Sequence, residues 1–309
     1  MDSKIAKFQG ALNTPYTPEF KGKNKFQGEK MHSAQFNTNY DFTNKKVAIV
    51  GSAASAIQLA PIIAKQVKDL KSLKKKFQKQ IISKTKFLPP LEQKKLIPQY
   101  DVGCKRVLKS NHYFPMFKNK NVHLIDEKIQ EFTENSIIFQ QQNGQNNKNQ
   151  NEIQIDTIIF ATGFVLADVQ FEVIGKNNLT LKQYWNKFPK AYKSAFVPNF
   201  PNFILLLGPN SGLGHSSMIF MLESQMHYVT QILEQIISGQ KQEIEIKEEI
   251  LENELNHHNK KAKNSIWLQG NCSSWYKNES GQLFTLFVGF CTEFWWKMRK
   301  INLSEFKIK

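Results

Sequence analysis

The residues with the clearest chemistry stand at positions 51–58. Val47-Ala48-Ile49-Val50 is an apolar run, followed by Gly51-Ser52-Ala53-Ala54-Ser55-Ala56 and a helical pattern that takes in Gln58 and Pro61. A buried strand, a tight turn and a helix N-terminus in that order offer unpaired N–H groups and a partial positive charge, which suit a pyrophosphate. Gly51 makes the turn without a side-chain penalty. Ala53 and Ala56 stand where G-x-G-x-x-G carries its second and third glycines. Alanine costs little at the third position, whereas at the second it crowds the approach of the pyrophosphate. Taken alone, the stretch fits a dinucleotide site and a plain strand–turn–helix equally well.

Other reactive residue types give weaker signals. Arg106 is a permanent cation and, by itself, reads as a surface ion-pair residue. His215 could be a base or a metal ligand, but no second ligand stands at suitable spacing, so it reads as structural and no metal is expected. Cys104, Cys272 and Cys291 are few, far apart and odd in number. They suggest neither a disulfide framework nor a zinc site, and are expected as free thiols in a cytoplasmic protein. Cys272 has no evident catalytic histidine.

These residues need elements to hold them. Val47–Val50, Thr157–Ala161 and Phe203–Leu207 read as buried strands of parallel sheets, and Val122–Ile125, Ile137–Phe139 and Ile153–Ile155 as short strands. No convincing strand lies between Lys71 and Pro89, where Phe77–Ile82 is a weak candidate. The helix after Gly51 is expected to run to Leu70, with Ile57, Ala60, Ala64, Val67 and Leu70 on its apolar face and a kink at Pro61. Lys65, Lys68, Lys71 and Lys74 then form a solvated helical face, or a basic surface for a 2′-phosphate. Gln140–Glu152 is a Gln/Asn-rich hairpin tip. Leu179–Trp185 is a short helix. A long helix follows Ser217, with Met218, Leu222, Met226, Val229, Leu233 and Ile236 on one face and Gly239 as its stop. Ile244–Asn259 reads as a solvated helix, and Leu283–Trp296 as a packing segment.

The chain of 309 residues holds 42 Lys plus Arg against 26 Asp plus Glu, a net charge of +16. Lys, Asn and Gln are abundant throughout, so the charge reads as background and no nucleic-acid module is visible. No apolar run is long enough for a membrane span, and no secretory signal follows Met1.

One segment shifts the balance at Gly51. Phe26, Gly28, His32 and Phe36 have the spacing F-x-G-x-x-x-H-x-x-x-aromatic just before the strand. This resembles the fingerprint of the class B flavin-dependent monooxygenases: the Baeyer–Villiger enzymes, including the 4-hydroxyacetophenone-oxidising type, and the N/S-oxygenating flavin-containing enzymes. Phe36 stands where the Baeyer–Villiger branch has Trp. Gly51, Ser52, Ala53, Ser55, Ala56 and Gln58 are similar to that family's NADP turn. Arg106 matches its active-site arginine. Thr162 and Gly163, in Ala161-Thr162-Gly163, and Asn210, in Gly208-Pro209-Asn210, match segments that approach FAD. The C-terminal Trp267 and Cys272–Tyr276 resemble the Baeyer–Villiger segment beside the substrate pocket.

The resemblance implies an α/β flavoprotein of two Rossmann-like dinucleotide-binding domains, from which the first half of the FAD domain is missing. No apolar strand with a glycine turn precedes Phe26. It implies a connector over 1–44, an NADP-binding domain over 45–155 that is shortened, the C-terminal half of the FAD domain over 156–240, and a packing or substrate-pocket segment over 241–309. It also implies NADPH reducing FAD, a C4a-peroxyflavin, and transfer of one oxygen atom from O2 to a ketone or a soft N/S heteroatom. Arg106 then stabilises the anionic peroxide. No acidic residue stands between Leu70 and Leu91, where an acid about 20 positions after the turn would fall, which favours NADP over NAD. Without the FAD diphosphate turn, flavin is expected to bind weakly, with apolar surface exposed near Ile158–Phe160 and Phe203–Leu207. Two other readings stay open: an inactive or incomplete relative that binds a nucleotide or partner, and a basic nucleic-acid-binding protein.

Overall fold

The computed structural model describes residues 10, 12–67, 69–73, 85–96, 103–106, 108, 110–140, 152–166, 171–186, 188–214, 216–239, 243–269, 274–278 and 280–309. The chain divides into two units, Met1–Gln99 with Leu108–Leu166, and Tyr100–Val107 with Ala167–Lys309.

The first unit contains, in order, β1 (Thr14–Pro15), β2 (Glu29–His32), β3 (Lys46–Val50), α1 (Ala54–Ile63), β4 (Asp69–Leu73), α2 (Pro90–Leu96), β5 (Val122–Ile125), β6 (Ile129–Phe132), β7 (Ser136–Phe139), β8 (Glu152–Gln154), β9 (Thr157–Phe160) and β10 (Phe164–Val165). A five-stranded parallel sheet has the order β2-β9-β3-β4-β5. Successive side chains of β3 face opposite ways, as a strand requires. Val47 and Ile49 pack with Ala56, Ala60 and Ile63 of α1. Ala48 and Val50 pack with Phe132, Ile137 and Phe139 of the antiparallel meander β6-β7-β8. The result is three layers: helix, parallel sheet and meander. The apolar run at 47–50 reflects burial on both faces.

Several expectations change here. α1 ends at Ile63, and Asp69–Leu73 form β4, paired with β3 on one side and β5 on the other. The polar sequence Asp-Leu-Lys-Ser-Leu carries no strand period, and two backbone ladders override it. Lys71 therefore lies in a strand, not on a helical stripe. Lys68, Lys74–Lys76 and the weak candidate Phe77–Ile82 lie outside the described residues, as does most of the 140–152 stretch. Ile158, Ile159 and Phe160 are buried, against the expectation of exposure, because β2 covers β9 on the side away from β3.

The second unit contains α3 (Leu181–Trp185), α4 (Met218–Ile237), β11 (Ile244–Ile246), α5 (Glu248–Ala262), α6 (Ile266–Gln269), α7 (Cys291–Lys297) and β12 (Phe306–Ile308). Thr180 and Gln183 make a capping box for α3, and Ser217 caps α4. The core joins Tyr192, Phe196, Met221, Tyr228, Ile232 and Phe294. Ile244–Ile246, expected to start a helix, pairs instead with β12, and buried Glu245 is held by Lys176 and Lys307.

Phe203–Leu207 is not a strand of a parallel sheet. Among the described residues its one ladder contact is an isolated antiparallel bridge, Ile204 to Phe196. Its other donors go elsewhere: Leu205 N to Ala195 O at 2.8 Å, and Leu207 N to Gln225 Oε1 at 2.7 Å. Leu207 adopts a φ of +53°. Among the described residues, no helix is long and apolar enough to cross a membrane.

Candidate functional site

The turn after β3 is fixed by its neighbour. Gly51 has a φ of +126°, and a Cβ there would sit 2.3 Å from Ala161 O. Ala161 N donates to Val50 O at 2.8 Å. The ends of β3 and β9 are thus pinned side by side, which brings Gly51, Ser52 and Ala53 together with Ala161, Thr162 and Gly163. Ala53 is the N-cap of α1 and makes no side-chain cap bond, and no acidic residue occupies the first turn. The leading N–H groups of α1 are therefore not taken by a capping side chain, and its positive end is not offset by a carboxylate. Ser55 is half-buried and Gln58 exposed, while Ala56 is fully buried against β3, the close packing its place in the motif calls for.

The fingerprint residues divide between packing and polarity. Phe26 is buried against Phe132, with ring centroids 6.4 Å apart. A Cβ at Gly28 would lie 2.2 Å from Asp156 O and 2.6 Å from the Phe26 ring, so this glycine is sterically required. Phe36 stacks on Phe42 at 5.8 Å. His32 ends β2 opposite Phe160. It is buried, its Nδ1 accepts from Ala34 N at 3.1 Å, and its ring lies edge-on to Phe164 at 5.7 Å. Burial lowers its pKa, opposed in part by the backbone of Gly163. Its Nε2 has no hydrogen-bond partner among the described residues. A neutral imidazole thus stands beside the Ala-Thr-Gly turn. Sequence reasoning placed these residues in a connector; Glu29-Lys30-Met31-His32 lacks the alternation that would have marked a strand.

Thr162 and Gly163 are tied to the N-terminal segment. Thr162 Oγ1 donates to Tyr16 O at 2.5 Å, and Tyr16 N to Gly163 O at 2.9 Å. Both fall in the same compact unit as Gly51.

Arg106 and Asn210 belong to the second unit. Arg106 is exposed and makes no ion pair with a carboxylate among the described residues. Burial pushes the Tyr276 phenol up, while the backbone and charge of Arg106 oppose that shift. Asn210 is buried with a φ of +61°. Its Nδ2 lies 3.3 Å from His258 Nε2 and 3.4 Å from each of Leu283 O and Leu286 O, so it knots this turn to the 283–286 segment. His215 lies outside the described residues.

The thiol expectation is corrected. Cys104 is fully buried and disulfide-bonded, Cys291 is free, and Cys272 lies outside the described residues. Cysteine spacing carried no sign of the bond because the chain positions are remote. No group of three or more potential metal ligands occurs among the described residues.

No protein-family model matches the sequence. A Baeyer–Villiger monooxygenase of Pseudomonas aeruginosa is 30% identical over 358 residues, covering 97% of this chain and 66% of that protein. One of Streptomyces coelicolor is 27% identical, covering 97% of this chain and 67% of that protein. The chain thus spans about two thirds of the length of these relatives. The structure of OTEMO in complex with FAD and NADP superposes with a TM-score of 0.84 at 18% identity, covering 97% of this chain and 74% of that one. That likeness gives the same mixed α/β flavoprotein fold, less part of it. From the ordered motifs, the fold and these relatives together, the chain belongs to the Baeyer–Villiger and FAD-binding monooxygenases, the class B flavin-dependent superfamily.

Proposed function

We propose that this chain is the NADP-binding and substrate-side portion of an FAD- and NADPH-dependent monooxygenase acting on a ketone or a soft N/S heteroatom compound. The observation that carries the reading is the pinned pair of strand ends, β3 and β9, beside the uncapped start of α1. The residues fit a dinucleotide there. The backbone N–H groups of α1 would hold the pyrophosphate, and Gly51 lets the turn close against Ala161. Leu73, the last residue of β4, is level with Val50, and Lys74-Lys75-Lys76 come next in the sequence. Cationic residues after the second strand suit a 2′-phosphate and favour NADP over NAD.

When bound, FAD supplies the oxygen chemistry and NADPH the hydride. This chain's part is to hold and to polarise. Arg106, without a carboxylate partner among the described residues, supplies a fixed positive charge for an oxyanion developing on oxygen. Neutral His32, donor-capable at Nε2, orients groups at the Ala-Thr-Gly turn. A second reading, a nucleotide-binding relative without oxygenase activity, is favoured by Thr162 and Asn210, whose side chains are already engaged within the protein.

The test is Arg106→Ala in a flavin-replete preparation. NADPH should still reduce the flavin at nearly the original rate, while substrate oxygenation falls by about 100- to 1,000-fold, the usual loss on removing one oxyanion donor. Equal loss of both half-reactions makes Arg106 structural. No oxygenation by the unmodified preparation favours the second reading.

A further inference from the structure

We propose that the Cys104 disulfide is the clamp that fixes Arg106 in place. Cys104 is then a positioning residue, with no chemistry of its own. What the clamp is for rests on the reading of Arg106 given above; that it holds the segment does not.

The stretch that carries Arg106 leaves the company of its sequence neighbours. Tyr100–Val107 belongs to the second unit, while the chain up to Gln99 and from Leu108 to Leu166 belongs to the first. Gly103, Cys104, Lys105 and Arg106 form neither helix nor strand, so no backbone ladder or helical turn holds them. Lys105 and Arg106 carry charge, which favours water over burial. Cys104 is the buried member, and it is disulfide-bonded. Around it the segment lies against a small packed group. A Cβ on Gly103, whose φ is +94°, would stand 4.0 Å from Ile266 Cγ2 at the start of α6. The backbone and charge of Arg106 act on the phenol of Tyr276, which is buried with Ala262, Leu283 and Leu286.

A cation that stabilises a developing oxyanion must be in place beforehand, and a misplacement of about 1 Å costs on the order of a hundredfold in rate. The arginine side chain is long, so its backbone has to be fixed first. Two residues separate Arg106 from the cross-link, at most about 7 Å of extended chain. A general stabilising role explains the bond less well. Among the described residues Cys104 joins none of the hydrophobic clusters of either unit. One bonded cysteine and one free one in a chain with three are not a disulfide-built scaffold. Full burial also keeps external thiols from the bond, which makes it a fixed clamp rather than a switch.

Peptide mapping of the unreduced full chain should find Cys104 disulfide-linked. Cys104→Ala should leave amide exchange along β3 and β9 unchanged, while exchange at 103–106 rises about tenfold or more. Trypsin should then cut after Lys105 or Arg106 faster by a similar factor. Cys291→Ser, at the free cysteine, should change none of these. Cys104→Val keeps the buried position apolar and carries the test if Cys104→Ala does not fold. In a flavin-replete preparation, the fraction of NADPH oxidation that ends in oxygenated product should fall about tenfold or more in either variant. A smaller folded population would leave that fraction unchanged. A free Cys104 thiol, or unchanged exchange and cleavage at 103–106 in both variants, overturns the inference. Protection lost evenly across the second unit also overturns it, since the bond would then be a general staple. Local release with an unchanged product fraction leaves the clamp standing and counts against the reading of Arg106 alone.

Discussion

Gly51 can be separated experimentally from a glycine that merely favours a turn. Gly51→Ala meets both an unfavourable φ and a Cβ 2.3 Å from Ala161 O, while Gly163→Ala meets a φ of +97° with open space around it. Strain alone is worth about 1–3 kcal/mol. Urea melts should show Gly51→Ala losing clearly more than Gly163→Ala. Comparable losses would mean that β9 yields. His258 gives a pH signature. Burial lowers its pKa below 6.5, with the Leu286 carbonyl opposing the shift. The unfolded chain then binds the proton more readily, so stability is complete above pH 6.5 and falls as the pH drops below it, by up to about 1.4 kcal/mol per pH unit. His258→Gln should flatten that part of the profile. The thiol chemistry is also countable: with Cys104 disulfide-bonded, the denatured protein should titrate one free thiol before reduction and three after. The Gly51 turn could be read from residue types because a glycine after an apolar run has few explanations. The disulfide could not, since the contact comes only from the fold.

The elements tell a similar story of local signals against tertiary ones. α4 was legible from its period and its stop at Gly239: Met218, Val229, Leu233 and Ile236 of the expected face pack in the core, joined there by Met221, Tyr228 and Ile232, whereas Met226 is exposed. Met226 lies between Glu223 and Thr230, both exposed, so its own apolar character misled where its neighbours did not. Met221→Ala should cost about 2–5 kcal/mol, the range for emptying a buried Met site. Met226→Ala should cost less than about 0.5 kcal/mol, as surface changes usually do. Chemical denaturation decides, and the reverse order would mean that α4 is rotated. β4 and β2 were missed because both are short and polar, and are specified by ladders to β3, β5 and β9 rather than by their own pattern. The β4 register also sets a binding expectation. NADP should bind the chain at least tenfold more tightly than NAD, by calorimetry, with the preference shrinking at high salt. Equal affinities would overturn the preference for NADP.

At the scale of the whole chain, the expectation concerns flavin. The 309-residue chain, purified and desalted, should show no stoichiometric flavin spectrum, because loss of two charge-assisted diphosphate hydrogen bonds, at about 1.5–3 kcal/mol each, weakens binding a hundredfold or more. A tightly held flavin would mean that another segment cradles the diphosphate. The sheet order β2-β9-β3-β4-β5 carries a different consequence, for synthesis rather than chemistry. β2 has β9 as its sheet neighbour, and Thr157 is translated long after His32. At about 5–20 residues per second the wait is roughly 6–25 s, during which Phe26, Met31 and His32 have no strand to close over them. The fingerprint segment is then a sticky, protease-accessible stretch on every nascent chain. Slow codons before residue 157 should lower the yield of folded protein more than the same codons placed after it.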